Sequence, residues 1–191
     1  MTIDIAGFIT YLKDHAIEHG FHVHDERHFI ETYSLRQSWE VDLHPDSACD
    51  GPLDLNLAFE VDPRVVLELE ERLEELDDDE TRPDGDFRLP MSFNWALPPL
   101  ADPPDLVVLA TELAGIGGPE LPIEVSGVES TGVLASAPEL RVSITGRLEV
   151  SLVEAMMGEE KLCDILERCR SVSEYLVAEA DRWKIVLPEE L

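Results

Sequence analysis

Two runs of strict alternation stand out in the first third of the chain. In SWEVDLH, Trp39, Val41 and Leu43 alternate with Glu40, Asp42 and His44. In LDLNLAFEV, Leu53, Leu55, Leu57, Phe59 and Val61 alternate with Asp54, Asn56, Ala58 and Glu60. A period of two marks strands with one dry and one wet face, as in an antiparallel sheet. Pro45, Asp46, Ser47, Asp50, Gly51 and Pro52 fill the loop between them, all residues that favour turns. Phe29, Tyr33 and Leu35 share the parity of Trp39, so one long, bulged strand is expected over residues 29–43, with a short helix after Asp25 as the alternative.

Phe87, Leu89, Met91, Phe93, Trp95 and Leu97 predict a third strand. Pro90 on its outer face removes an amide donor and suggests an edge position or a bulge. The continuous apolar run Leu106–Leu109 reads as a strand buried on both faces. Leu121, Ile123 and Val125 mark another strand, residues 131–137 a loop of small residues, and Leu140 to Val150 a last strand. Gly146 falls on the inward face of that strand, where a bend or a covering aromatic from a neighbour is expected.

Helical spacing appears in four places. Thr2 is placed to cap a first helix running to about His19 and ended by Gly20, with Ile5, Phe8, Ile9, Leu12 and Ala16 on one stripe. His19 projects into that stripe and His15 onto its border. Asp62-Pro63 opens a second helix to about Leu76, which runs into the acidic segment Asp77–Glu80 and should fray there. Ser151 and Glu154 form a capping box for a helical turn ending at Gly158. The longest helix is expected from Glu159 to Lys184, leaving residues 185–191 as a flexible tail. The expected fold is α+β over a single domain, residues 1–191. An antiparallel sheet of about six strands carries an N-terminal, a middle and a long C-terminal helix, packed mainly on one face.

Charge narrows the functional classes. The chain has 42 acidic and 14 basic residues, a net charge of −28. No basic patch exists to displace counterions from phosphates, which argues against nucleic acid and against anionic membrane surfaces. A solvated acidic surface is the leading reading of this charge, and binding to a basic protein surface is the alternative. The N-terminal stretch MTIDIAGFITYLKDH lacks the basic and apolar regions of a signal peptide, and the three cysteines are an odd number. A cytoplasmic protein with reduced thiols is therefore expected.

The densest chemistry lies in one segment. His15, His19, His22, His24 and His28 are five of the six histidines, interspersed with Glu18, Asp25 and Glu26. Imidazole and carboxylate at this density suit a divalent transition metal such as zinc, nickel or copper. His15 and His19 share a helix face, and His22 and His24 share a strand face. Gly20 turns the chain between the two pairs, and no zinc-finger spacing is present. The bland alternative is a polar corner that happens to use histidine.

Other motifs fail on detail. Cys169 lies on the apolar face of the last helix, and Cys163 projects roughly 120–130° away from it, so the two cannot share an ion. Asp46 and Asp50 beside Cys49 disfavour a catalytic thiolate. Ala48 and Leu57 occupy oxygen-donor positions of a would-be EF-hand at Asp46–Leu57. Gly115-Ile116-Gly117-Gly118 lacks the third glycine of a dinucleotide fingerprint and the lysine of a P-loop, and there is no nucleophile elbow. No residue is assigned a catalytic role, and the sequence leans away from an enzyme.

In element order, size and acidity the chain resembles acidic secretion-type chaperones, a resemblance of architecture and charge. Together with the net charge, the amphipathic terminal helices and the failure of every catalytic motif, it leads to the expectation of a non-enzymatic, adaptor- or chaperone-like interaction protein that meets a basic partner, with a homodimer through the 159–184 helix. The rival expectation is a metal- or small-ligand-binding protein, with catalysis left open, centred on His15–His28.

Overall fold

The computed structural model describes residues 3–49, 51–76, 82–100, 102–130, 139–180 and 182–183. Six strands form one sheet: β1 (Phe21–Ile30), β2 (Gln37–Pro45), β3 (Asp54–Val61), β4 (Arg88–Ala96), β5 (Ile123–Ser130) and β6 (Glu139–Ser151). Their order is β1-β2-β3-β4-β6-β5, and every neighbouring pair is antiparallel. Among the described residues there are also five α-helices: α1 (Ile5–Glu18), α2 (Pro63–Glu74), α3 (Leu106–Gly117), α4 (Leu152–Met157) and α5 (Leu162–Ala180). The α+β architecture expected from the alternation is thus observed.

The dry face of the sheet supplies the core. Trp39, Val41, Leu43, Leu55, Leu57, Phe59, Leu89, Met91, Phe93, Trp95, Val142 and Ile144 are all buried there. They meet Ile9, Leu12 and Ala16 of α1 and the α5 stripe Leu162, Leu166, Cys169, Val172 and Leu176. Helix α5 has 19 residues, about five turns, and starts at Leu162 and ends at Ala180, inside the expected 159–184; burial of this stripe within the chain accounts for its helical periodicity. The only buried polar side chain among the described residues, Ser173, accepts a 2.8 Å bond from the Trp95 indole N–H and donates to the Cys169 carbonyl. The opposite face carries Glu40, Asp42, His44, Asn56, Ser92, Asn94, Thr145 and Arg147, none of them fully buried.

Caps set the helix starts. Asp62 accepts from the Arg64 amide, with Pro63 at the first helical position. That amide, followed by the nearby Arg36 and Arg64 charges, holds the Asp62 carboxyl below its ordinary value. Ser151 caps α4, and Gly158 closes it in the left-handed region. Gly146 lies on the inward face as expected: a Cβ there would meet Leu121 at 2.7 Å and the Trp95 ring at 3.3 Å.

Several expectations are corrected. The cap of α1 is Asp4, which accepts from the Gly7 amide; Thr2 lies outside the described residues. The long strand 29–43 is instead two strands, β1 and β2, joined by a turn in which the Glu31 amide bonds the Arg36 carbonyl. The shared parity of Phe29 and Trp39 is misleading across that turn: in the hairpin register His28 stands across from Trp39, and Phe29 across from Ser38 on the other face. The bulge lies earlier, between Val23 and Asp25. Leu106–Leu109 opens α3 rather than forming a strand, because Asp105 accepts from both the Val107 and Val108 amides. Leu109 and Leu113 are buried while Val107 and Val108 are exposed, which is helical spacing. The glycines at 115 and 117 belong to that helix, and Gly118 closes it. Strand β4 is central, not an edge: its ladder to β3 stops at Met91, so Pro90 lies beyond β3 and faces only Glu149 of β6. The expected loop 131–137, the acidic stretch 77–80 and the tail 185–191 lie outside the described residues.

Candidate metal centre

The β1–β2 hairpin decides where the histidines go. Its register sets His22 directly across from His44, at the end of β2 where the chain turns into Pro45 and the short helical turn Asp46–Ala48. His22 and His24, two residues apart on β1, face the same side as His44, and the His24 ring packs 4.6 Å from the His44 ring. The Asp46 amide bonds the Gly20 carbonyl, which ties this loop to the turn between α1 and β1. Gly20 takes φ 79° there, a value that favours glycine. The turn after Asp46 then delivers Cys49 to the histidines.

The resulting contacts are specific. Cys49 Sγ lies 2.7 Å from His22 Nδ1 and 3.5 Å from His24 Nε2. On the other side of its ring, His22 Nε2 lies 2.9 Å from Asp46 Oδ1. A carboxylate only accepts, so in the neutral ring the proton sits on Nε2 and the Nδ1 lone pair points at the sulfur. One ligand atom from each of His22, His24 and Cys49 lies within 4.8 Å of the others. Around a tetrahedral zinc ion, with bonds of about 2.0–2.1 Å to nitrogen and 2.3 Å to sulfur, donors stand about 3.4–3.6 Å apart. Both separations from the Cys49 sulfur, 2.7 and 3.5 Å, lie within about an ångström of those values. His22 and His24 are exposed and Cys49 is half-buried, so an ion can reach them from solvent.

The same line of Cys49, His22 and Asp46 has the order of a thiol, a base and its orienting acid. The second imidazole separates the two chemistries. His24 at 3.5 Å from the sulfur has a place in a ligand set and none in a nucleophilic relay. His44 adds a further polar group: its Nδ1 is buried and has no hydrogen-bond partner.

A second trio forms around the other pair. His15 and His19, one turn apart at the end of α1, meet Cys163 in the first turn of α5, again with donor atoms within 4.8 Å of one another. Cys163 Sγ lies 3.6 Å from His15 Nδ1. His28 joins neither trio. It stacks on Trp39 with ring centroids 3.8 Å apart and bonds Gln37 at 2.9 Å. Cys169 is fully buried, which pushes its thiol well above the ordinary value, and it takes no part in either group.

The structure thus brings together four of the five predicted ligands, as two separate pairs, and completes each pair with a cysteine that the sequence had not connected to it. No protein-family model, curated protein or solved structure matches this chain. No helix among the described residues is long and apolar enough to cross a membrane.

Proposed function

We propose that this protein binds a transition metal ion through His22, His24 and Cys49. The carrying observation is the arrangement of His22, whose Nε2 is held by Asp46 while Nδ1 faces the Cys49 sulfur. Ligating histidines commonly give their second nitrogen to a carboxylate, which fixes the ring and raises its basicity. One thiolate and two imidazoles form a borderline-soft donor set suited to zinc, and to copper or nickel by geometry and availability. Three protein donors leave a fourth position for water or an exogenous group, and exposure makes the bound ion exchangeable. Zinc titration of the full-length untagged protein tests this reading: the Cys49→Ser protein should bind one equivalent fewer than the native chain.

A second reading retains the acidic surface as the functional feature. Helix α2 exposes Glu68, Glu71 and Glu74, its C-cap Glu75 is exposed as well, and the net charge is −28. On this reading the protein is a non-enzymatic adaptor or chaperone-like partner for a basic protein. Association of that kind weakens steeply with salt. Binding that holds undiminished at high ionic strength would remove its electrostatic basis. The metal reading stands first because it rests on placed donor atoms, whereas charge alone names no partner.

A further inference from the structure

We infer that His15, His19 and Cys163 form a second metal site, one that clamps the start of α5 to the end of α1. It shares only its ligand class with the site proposed above and uses none of the same residues.

Local geometry builds the pair first. His15 and His19 are four positions apart, so the last turn of α1 projects both rings from one side. Histidine at a helix C-terminus is itself unremarkable, since a basic group there complements the macrodipole. That ordinary role does not account for the thiol. Cys163 comes from 148 positions later and sets its sulfur 3.6 Å from His15 Nδ1. Both histidines are half-buried between the helices, and the cysteine is exposed. An ion therefore has an open approach and a partly walled seat.

The surroundings orient His15 and add negative charge. The Tyr11 ring meets the His15 ring edge-on at 4.2 Å, and the Tyr11 hydroxyl donates to Glu160 Oε1 at 2.6 Å. The other oxygen of Glu160, Oε2, is buried with no hydrogen-bond partner. Glu18 Oε2 lies 3.5 Å from His15 Nδ1. A cation bound here would sit among carboxylates on a chain already rich in them.

The mechanical consequence follows from connectivity. Helices α1 and α5 pack against each other, and this contact brings together the two ends of the described sequence. A bond through metal between residues 15 and 163 closes a loop that spans most of the fold, and such a link opposes separation of the helices.

Zinc and cobalt(II) binding to the full-length protein, followed by native mass spectrometry, separates the two sites. The native chain should take two equivalents, and Cys163→Ser and Cys49→Ser should take one each. Cys163 is exposed, so its serine variant should keep the fold; His15→Gln supplies an independent loss of the same equivalent. Cobalt in the Cys49→Ser protein should still show a thiolate-to-metal charge-transfer band, which Cys163→Ser removes in that background. Hydrogen exchange at the end of α1 and the start of α5 should slow on zinc addition to Cys49→Ser. Full loss of metal in Cys49→Ser with unchanged loading in Cys163→Ser would overturn the second site while leaving the first standing. One equivalent lost in Cys163→Ser and none in Cys49→Ser would do the reverse. No zinc on the native chain would overturn both.

Discussion

Cys49 Sγ lies 2.7 Å from Nδ1 of His22, a residue 27 positions earlier in the chain. The contact depends on two independent pieces of backbone. The β1–β2 register brings His22 opposite His44, and the helical turn begun by Asp46 carries Cys49 back over the strand pair. Asp46 also holds the far side of the imidazole at 2.9 Å. One acidic residue therefore shapes the loop and orients the ring.

That dual position makes Asp46→Asn informative. An amide can still bond the ring but does not raise its basicity as a carboxylate does. Zinc affinity should fall about 10–100-fold, with the metal-free melting temperature nearly unchanged. Isothermal titration beside a thermal melt checks both. Unaltered affinity would mean that the Asp46 contact does not support a ligand.

Ser173 is predicted to be costly to remove. It is fully buried and takes the Trp95 indole N–H at 2.8 Å. Ser173→Ala leaves that donor without a partner in the core, at a cost of about 1–3 kcal/mol. Urea unfolding should show the loss as a lower midpoint with an unchanged slope, whereas an unshifted midpoint would contradict it.

Leu35, in the hairpin turn, takes φ 58° and is 60% exposed. A non-glycine residue in this region costs about 1–2 kcal/mol, and glycine's extra freedom in the unfolded chain costs about 0.5–1 kcal/mol. Leu35→Gly should therefore stabilise the protein by about 0.5–1 kcal/mol. Denaturant titration checks the sign, which a loss of stability would reverse.

Two tyrosines give the protein an alkaline signature. The bond from Tyr11 to Glu160, helped by partial desolvation, pushes the phenol up to about 12. Burial does the same for Tyr175, followed by its bond to Glu112, again to about 12. The folded state thus keeps protons that the unfolded chain gives up near the ordinary value of about 10. This contribution to stability is complete below about pH 10 and is lost as pH rises through about 12. Ultraviolet titration should show two phenols ionising near pH 12, with Tyr11→Phe and Tyr175→Phe each removing one. Ionisation of both near pH 10 would contradict the assigned contacts.

The sheet was legible because alternation over Trp39–Leu43, Leu53–Val61, Phe87–Leu97 and Leu140–Val150 records burial residue by residue. Asp62-Pro63 and the Ser151–Glu154 pair likewise announce their helices by local capping chemistry. Helix α3 escaped because its opening run is apolar throughout, so the capping bonds from Asp105 had to decide what periodicity left open. The hairpin turn at 31–36 escaped because Phe29, Tyr33 and Leu35 share Trp39's parity in sequence although Phe29 stands across from Ser38 in the sheet, and with it went the register that sets His22 beside His44. The candidate site was half visible for the same reason. Histidines 15, 19, 22 and 24 pair by local spacing, while Cys49 and Cys163 join them through contacts 27 and 148 positions long. Asp46 and His44 belong to the same long-range geometry, which nothing in the local sequence signals.

The most direct measurement is the zinc content of native and Cys49→Ser protein, full-length, untagged and purified without chelator, compared by native mass spectrometry after loading with zinc. A site at His22, His24 and Cys49 predicts one ion fewer per chain in the variant, with the fold unchanged by circular dichroism. Equal zinc loading of the two proteins would contradict it.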